Sequence, residues 1–401
     1  MNYSNLLHYS QRIYTGFMLF LLCTVFLLSH SNQSSSQSLA TLLLLLSPLL
    51  ILFNRATKPE PSLGVRCFIA ISVAIFAYAL MIFFHHPVSE TSSGMMRALS
   101  FYLLAPVAIY VLWQRPVSRT WFFWLAFSAT FVALYPVIRE LNGSDLRGHS
   151  SAHPIFWGNV CLTSAFLTLI LSRDTELKVK GKYWLGVIGL CMGLTASFWS
   201  QTRGGWISIP LVLIALPFLR LIKIREAIIA LILLVIIFTS SDMLRNRVAQ
   251  TFKFGQNSVT LDSSTQLRLD MWKVSLASFE ENPLIGNGLD GFSRKLKELR
   301  DEHKVSFYFE HPHNELMEVL SSRGIIGAVL LLILLMTLIL YFWNHRSSVY
   351  AKAGLISTLQ FMIYSSSEIF LSTKFTLMYF LILQALLITA CERSCQENKT
   401  P

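Results

Sequence analysis

Two histidines stand two residues apart in His311-Pro312-His313-Asn314. Side chains at that spacing share a face only on an extended chain, which Pro312 allows. Such a pair is either two metal ligands, with Glu310 or Glu315 as a third, or two ordinary surface histidines. No further His or Cys cluster supports the metal, because the nearest outside histidine, His303, sits in a lysine-rich stretch. Arg203 and Arg268 keep their charge at any ordinary pH, and their plain readings are snorkelling at a membrane interface for Arg203 and pairing with Asp262 or Asp270 for Arg268. Gly286-Asn287-Gly288-Leu289-Asp290-Gly291 matches the dinucleotide fingerprint letter for letter. That fingerprint needs a strand before it, a helix after it and a βαβ frame. None is expected here, so these glycines are read as permitting sharp turns.

The elements that position these residues follow from composition. Only 14% of the 401 residues are charged and 53% are hydrophobic, with 29 phenylalanines. A soluble fold so poor in charge would show water large apolar patches. The chain therefore reads as an all-α polytopic membrane protein. Its net charge of +11 does not point to nucleic acid, because many of the basic residues fall in short tracts between apolar segments. Six cysteines lie in expected spans or near the C-terminus, which excludes a disulfide framework and a cysteine zinc site. The apolar run at 13–30 has no small-residue cleavage site after it and reads as a first span.

A ruler of about 20 apolar residues per span gives about twelve transmembrane helices. They lie near 13–30, 38–53, 65–84, 98–113, 120–138, 154–172, 183–199, 206–221, 226–241, 324–343, 353–370 and 375–391. With the N-terminus inside, the cytoplasmic tracts hold 17 Lys and Arg. The short loops opposite hold Arg97, Arg139, Arg147, Arg203 and Lys374. This bias puts both termini in the cytoplasm and one large loop, residues 242–315, outside. Within that loop an amphipathic helix is expected over 270–281, a polar one over 293–304, and a third over 315–322 that runs into the next span. The whole chain, 1–401, is expected to be one integral membrane domain, with part of the site on the loop.

His313-Asn314, nine residues, then Gly324-Ile325-Ile326-Gly327 is a patterned string. Glycines three apart at the mouth of a span allow close helix packing. The string resembles the signature of the lipopolysaccharide O-antigen ligase and O-antigen polymerase superfamily. Two arginine segments are similar to that family in the same order: Gln201-Thr202-Arg203-Gly204-Gly205 and Leu267-Arg268-Leu269-Asp270-Met271-Trp272. Asn282-Pro283-Leu284-Ile285-Gly286-Asn287-Gly288 also looks like a family turn. The likeness covers span number, loop position and about residues 200–327.

The resemblance implies a GT-C-like glycosyltransferase in the bacterial inner membrane with its site facing the periplasm. The donor would be a glycan on undecaprenyl pyrophosphate and the acceptor a sugar of the lipid A–core. Arg203 and Arg268 would stabilise the departing diphosphate. His313 would be the general base, with His311 as helper or alternative. Asn314, Gly324 and Gly327 would support the site or bind substrate. No metal and no cofactor are implied. A polymerase would use the same donor chemistry on another lipid-linked unit. A lipid transporter or flippase would carry charges inside its spans near the midplane; Glu368, near the end of the eleventh segment, is the main such residue.

Overall fold

The computed structural model describes residues 3–49, 60–141, 153–240, 252–254, 259–261 and 263–397. Arg55, Lys58, Arg147, Asp262 and Lys399, with residues 242–251 and 255–258 of the expected loop, lie outside these.

Each of the twelve apolar segments contains helix. Seven helical stretches are long and apolar enough to cross a membrane: Ser10–Leu28, Leu63–His85, Glu90–Gln114, Arg119–Arg139, Pro154–Leu171, Glu315–Asn344 and Lys374–Glu397. The protein is thus a polytopic membrane protein, with seven spans by length and composition among the described residues against the twelve expected. The other segments form Gln33–Leu46, Lys182–Trp199, Arg203–Trp206 with Ser208–Phe218, Ile224–Ser240 and Val349–Ser365. These are shorter, or diluted by polar and small residues.

In the most apolar 18-residue windows of Pro154–Leu171 and Lys374–Glu397, 89% of the residues are buried, which puts these helices at the centre of the bundle. Hydropathy does not distinguish them from their neighbours, since lipid is as apolar as a protein core. Their buried polar residues do: Asn159, Thr163, Ser164 and Thr168 on one, Thr376 and Gln384 on the other. Ser164 joins His30 Nε2 and the Tyr379 hydroxyl, both at 2.7 Å. Such internal pairing is what a helix interior in lipid requires.

The two ends of the bundle are held differently. At one, Arg119 donates to Asp174 at 3.1 Å and to Glu397 at 2.7 Å, and the Tyr350 hydroxyl donates to Asp174 at 2.8 Å. At the other, helix ends meet short turns: Trp157 Nε1 donates to the His30 carbonyl and Thr202 Oγ1 to that of Pro154.

Residues 263–313 pack on this second end. Ser263–Glu281 and Gly291–Asp301 share a small core of Met271, Val274, Phe292 and Leu296. The first helix starts seven residues before the expected 270, so Arg268 lies within it. A two-stranded antiparallel hairpin, Phe252–Phe254 with Val259–Leu261, precedes it and was not expected.

Candidate active site

His311 and His313 lie side by side, ring centroids 4.5 Å apart, both facing Glu368 in the turn after Val349–Ser365. His313 Nδ1 donates to Glu368 Oε2 at 2.7 Å. His311 Nδ1 stands 3.3 Å from Oε1, off the hydrogen-bond direction and without a partner. Glu368 is 1% exposed, and its Oε1 also accepts the Ile369 N–H at 3.1 Å. A carboxylate only accepts, so Nδ1 carries a proton, and in the neutral imidazole Nε2 presents a lone pair. Phe309 meets the His313 ring edge-on at 5.5 Å.

Burial pushes the His311 imidazole down to about 4, against the pull of Glu368 and with repulsion from His313 and His153. His311 is therefore neutral at pH 7. Burial alone would raise the Glu368 carboxyl; the hydrogen bond from His313 and the electrostatic pull of the two histidines outweigh it and hold the group below its ordinary value.

Asn314 joins the two halves of the site. Its Oδ1 caps the Glu315–Asn344 helix by accepting the Met317 N–H at 3.1 Å, a cap worth about 1 kcal/mol. Its Nδ2 donates to the Ser366 carbonyl at 3.0 Å, two residues from Glu368. Glu315 is no third ligand for the histidines. It is buried and accepts the Leu371 N–H at 2.8 Å and the Ser372 hydroxyl at 2.6 Å, while Arg323 Nη2 reaches the same hydroxyl at 2.8 Å. The Glu368 turn is thus fixed from both sides. Asp270, offered as a partner for Arg268, binds Lys273 instead at 2.8 Å.

Gly324 and Gly327 do not serve the expected helix packing. Gly324 breaks the helix at φ 63°, ψ −162°, and the 283–286 turn enters the gap. Ile325 N–H donates to the Pro283 carbonyl at 2.8 Å, and Asn287 N–H to that of Ser321 at 3.0 Å. A Cβ on Gly324 would stand 2.5 Å from the Leu284 carbonyl oxygen, and one on Gly286 2.5 Å from Arg323 N. Both glycines have positive φ, so no other residue fits without strain. Gly327 instead faces Arg323 and Val319 of its own helix.

The arginine segments border the site from two directions. Gly204, next to Arg203, leaves no room for a Cβ against Ser367, the neighbour of Glu368. Arg203 is half-buried at the start of Arg203–Trp206. Arg268, also half-buried, is one helical turn before Trp272, whose indole N–H donates to the Pro312 carbonyl at 3.2 Å between the two histidines. Arg268 makes no ion pair among the described residues. The residue that sequence reasoning left outside the site is Glu368. Its signal was a lone acid at the end of an apolar segment, which was weighed as transporter chemistry.

Ligand atoms of His311, His313 and Glu368 all lie within 4.8 Å of one another, a set able to hold a divalent cation. The direct 2.7 Å contact fits a hydrogen bond better than two ligands around an ion at about 2.0–2.2 Å each.

Comparison with known proteins matches residues 188–332 to the O-antigen ligase family model. The matched stretch includes Arg203, Arg268, both histidines, Asn314, Gly324 and Gly327, and ends before Glu368. An uncharacterized protein of Haemophilus influenzae is 23% identical over 235 residues, 54% of this chain. The alignment spans 59% of that relative's length.

Proposed function

We propose that the protein is a metal-independent glycosyltransferase of the O-antigen ligase type. It would move a glycan from undecaprenyl pyrophosphate to a lipid A–core sugar on the periplasmic face of the inner membrane, with both termini in the cytoplasm. The observation that carries this reading is His313, its Nδ1–H held by a buried carboxylate, inside the stretch that matches the O-antigen ligase family model. In the reaction Nε2 removes the proton of the acceptor hydroxyl while its oxygen attacks the anomeric carbon. The bond from that carbon to the phosphate oxygen breaks and the diphosphate leaves with its electron pair. Glu368 steadies the imidazolium that forms, and Arg203 and Arg268 take up the charge on the leaving group. A diphosphate leaves well once its charge is neutralised, so two guanidinium groups do the work of a metal.

Purified full-length protein tests this with a lipid-linked glycan donor in chelator, offered lipid A–core or a second lipid-linked unit as acceptor. Glycan on lipid A–core is the expected product. Elongation of the lipid-linked unit alone would make the protein a polymerase. Activity lost in chelator and restored by Mg²⁺ or Mn²⁺ would make His311, His313 and Glu368 metal ligands.

A further inference from the structure

Two basic residues on the site end of the bundle have no part in the chemistry above. Arg97 lies in the last turn of Glu90–Leu99 and Lys374 in the first turn of Lys374–Glu397. These helices pack together. The Tyr102 hydroxyl, five residues beyond Arg97, donates to the carbonyl of Leu371, three residues before Lys374, at 3.1 Å. Two acids at this end are committed elsewhere, Glu315 to Leu371 and Ser372 and Glu368 to His313. Neither cation makes an ion pair among the described residues. Two like charges at adjoining helix ends repel unless an anion joins them. Arg97 is exposed and Lys374 half-buried, so an anion can reach both. The first turn of a helix adds its own positive end to the same place. Lys374 follows Glu368 by six residues at the same end of the bundle.

We propose that Arg97 and Lys374 bind a phosphate group of one of the lipid substrates, apart from the leaving diphosphate contacts assigned to Arg203 and Arg268. The proposal rests on the glycosyltransferase reading for the identity of those lipids. The phosphate belongs to the polyprenyl donor or to the lipid A–core acceptor; the chemistry of recognition is the same.

Equilibrium binding in detergent decides between them, using full-length wild type and the Arg97→Gln/Lys374→Gln double variant, with folding checked by gel filtration. The probes are the undecaprenyl-diphosphate-linked glycan, lipid A–core, and lipid A–core stripped of its phosphates. The double variant is expected to bind one phosphate-bearing lipid about tenfold or more weakly, with the salt dependence of that binding reduced. Loss for the donor assigns the doublet to the diphosphate lipid. Loss for lipid A–core, absent for its dephosphorylated form, assigns it to the acceptor. Wild-type binding of all three probes by a folded double variant would overturn the proposal, as would equal loss for the phosphorylated and dephosphorylated acceptor. Binding is read without turnover, so a protein that binds these lipids and transfers nothing would sink the glycosyltransferase reading alone.

Discussion

Two clusters at opposite ends of the helix bundle treat charge differently. At one end Arg119 meets Asp174 and Glu397, Arg393 meets Glu397 as well, and Asp174 also takes the Tyr350 hydroxyl. At the other, Arg268, Arg97 and Lys374 make no ion pair among the described residues, and Glu368 is taken up by two imidazoles. A cation matched by a carboxylate of its own chain fixes helices and is spent on structure. A cation left unmatched beside a buried acid–base pair is available to a substrate that brings its own negative charge. On this contrast, substitutions at the first end should act on stability, and those at the second on transfer.

The largest effect expected is from His313→Ala, about 10² to 10⁴ in transfer rate, with donor binding near normal. Arg268→Ala should follow at about a hundredfold, because a charge-assisted contact to a developing anion is lost. Arg268→Lys should retain partial activity, since the charge stays but the fork is gone. Both need rates and gel-filtration profiles on the same preparations. At the opposite end, Arg119→Ala leaves the buried Asp174 short of a partner. It should cost about 1–3 kcal/mol of stability in a denaturation curve while transfer per folded molecule stays within about twofold. An Arg119→Ala protein that is folded but as slow as Arg268→Ala would break the comparison.

The smallest expected effect concerns His311 and acid. Its folded-state value, about 4, lies below the ordinary 6.5. Its stabilising contribution is therefore present above pH 6.5 and is lost as pH falls toward 4, because the unfolded chain takes up a proton that the folded one refuses. Wild type should lose melting temperature over that window more steeply than His311→Gln. Parallel curves for the two proteins would show that His311 is not buried in neutral form.

Some of the site was legible in the sequence because it lies on contiguous strings. The His311–Asn314 segment, the two arginine segments and the glycine turn were all singled out, and the structure brings the histidines, Asn314 and the turn into one region. What periodicity could not supply was the partner across 55 residues, Glu368 for His313. An isolated acid near the end of an apolar segment reads alike as a transport residue or as an anchor for an imidazole. Gly324 shows the same limit: its spacing was read as helix packing, whereas the reason for it is a turn at 283–286 that only the folded chain brings close. In the bundle, lipid and protein interior are equally apolar, so hydropathy located helices but not their lengths or their depth. Half of the short loop core was easier: Met271 and Val274 were placed on an amphipathic helix, whereas Leu296 lies in a stretch read only as polar and Phe292 just before it.

The central claim is that His313 and Glu368 act as one unit, the carboxylate serving only through the imidazole it holds. Transfer rates of His313→Ala, Glu368→Gln and the double variant test it most directly, with donor binding and folding measured on each. The double variant should be about as slow as His313→Ala alone, because residues that act as a unit are lost together. A folded Glu368→Gln protein working at the wild-type rate, or a double variant slower by the product of the two single losses, would contradict the claim.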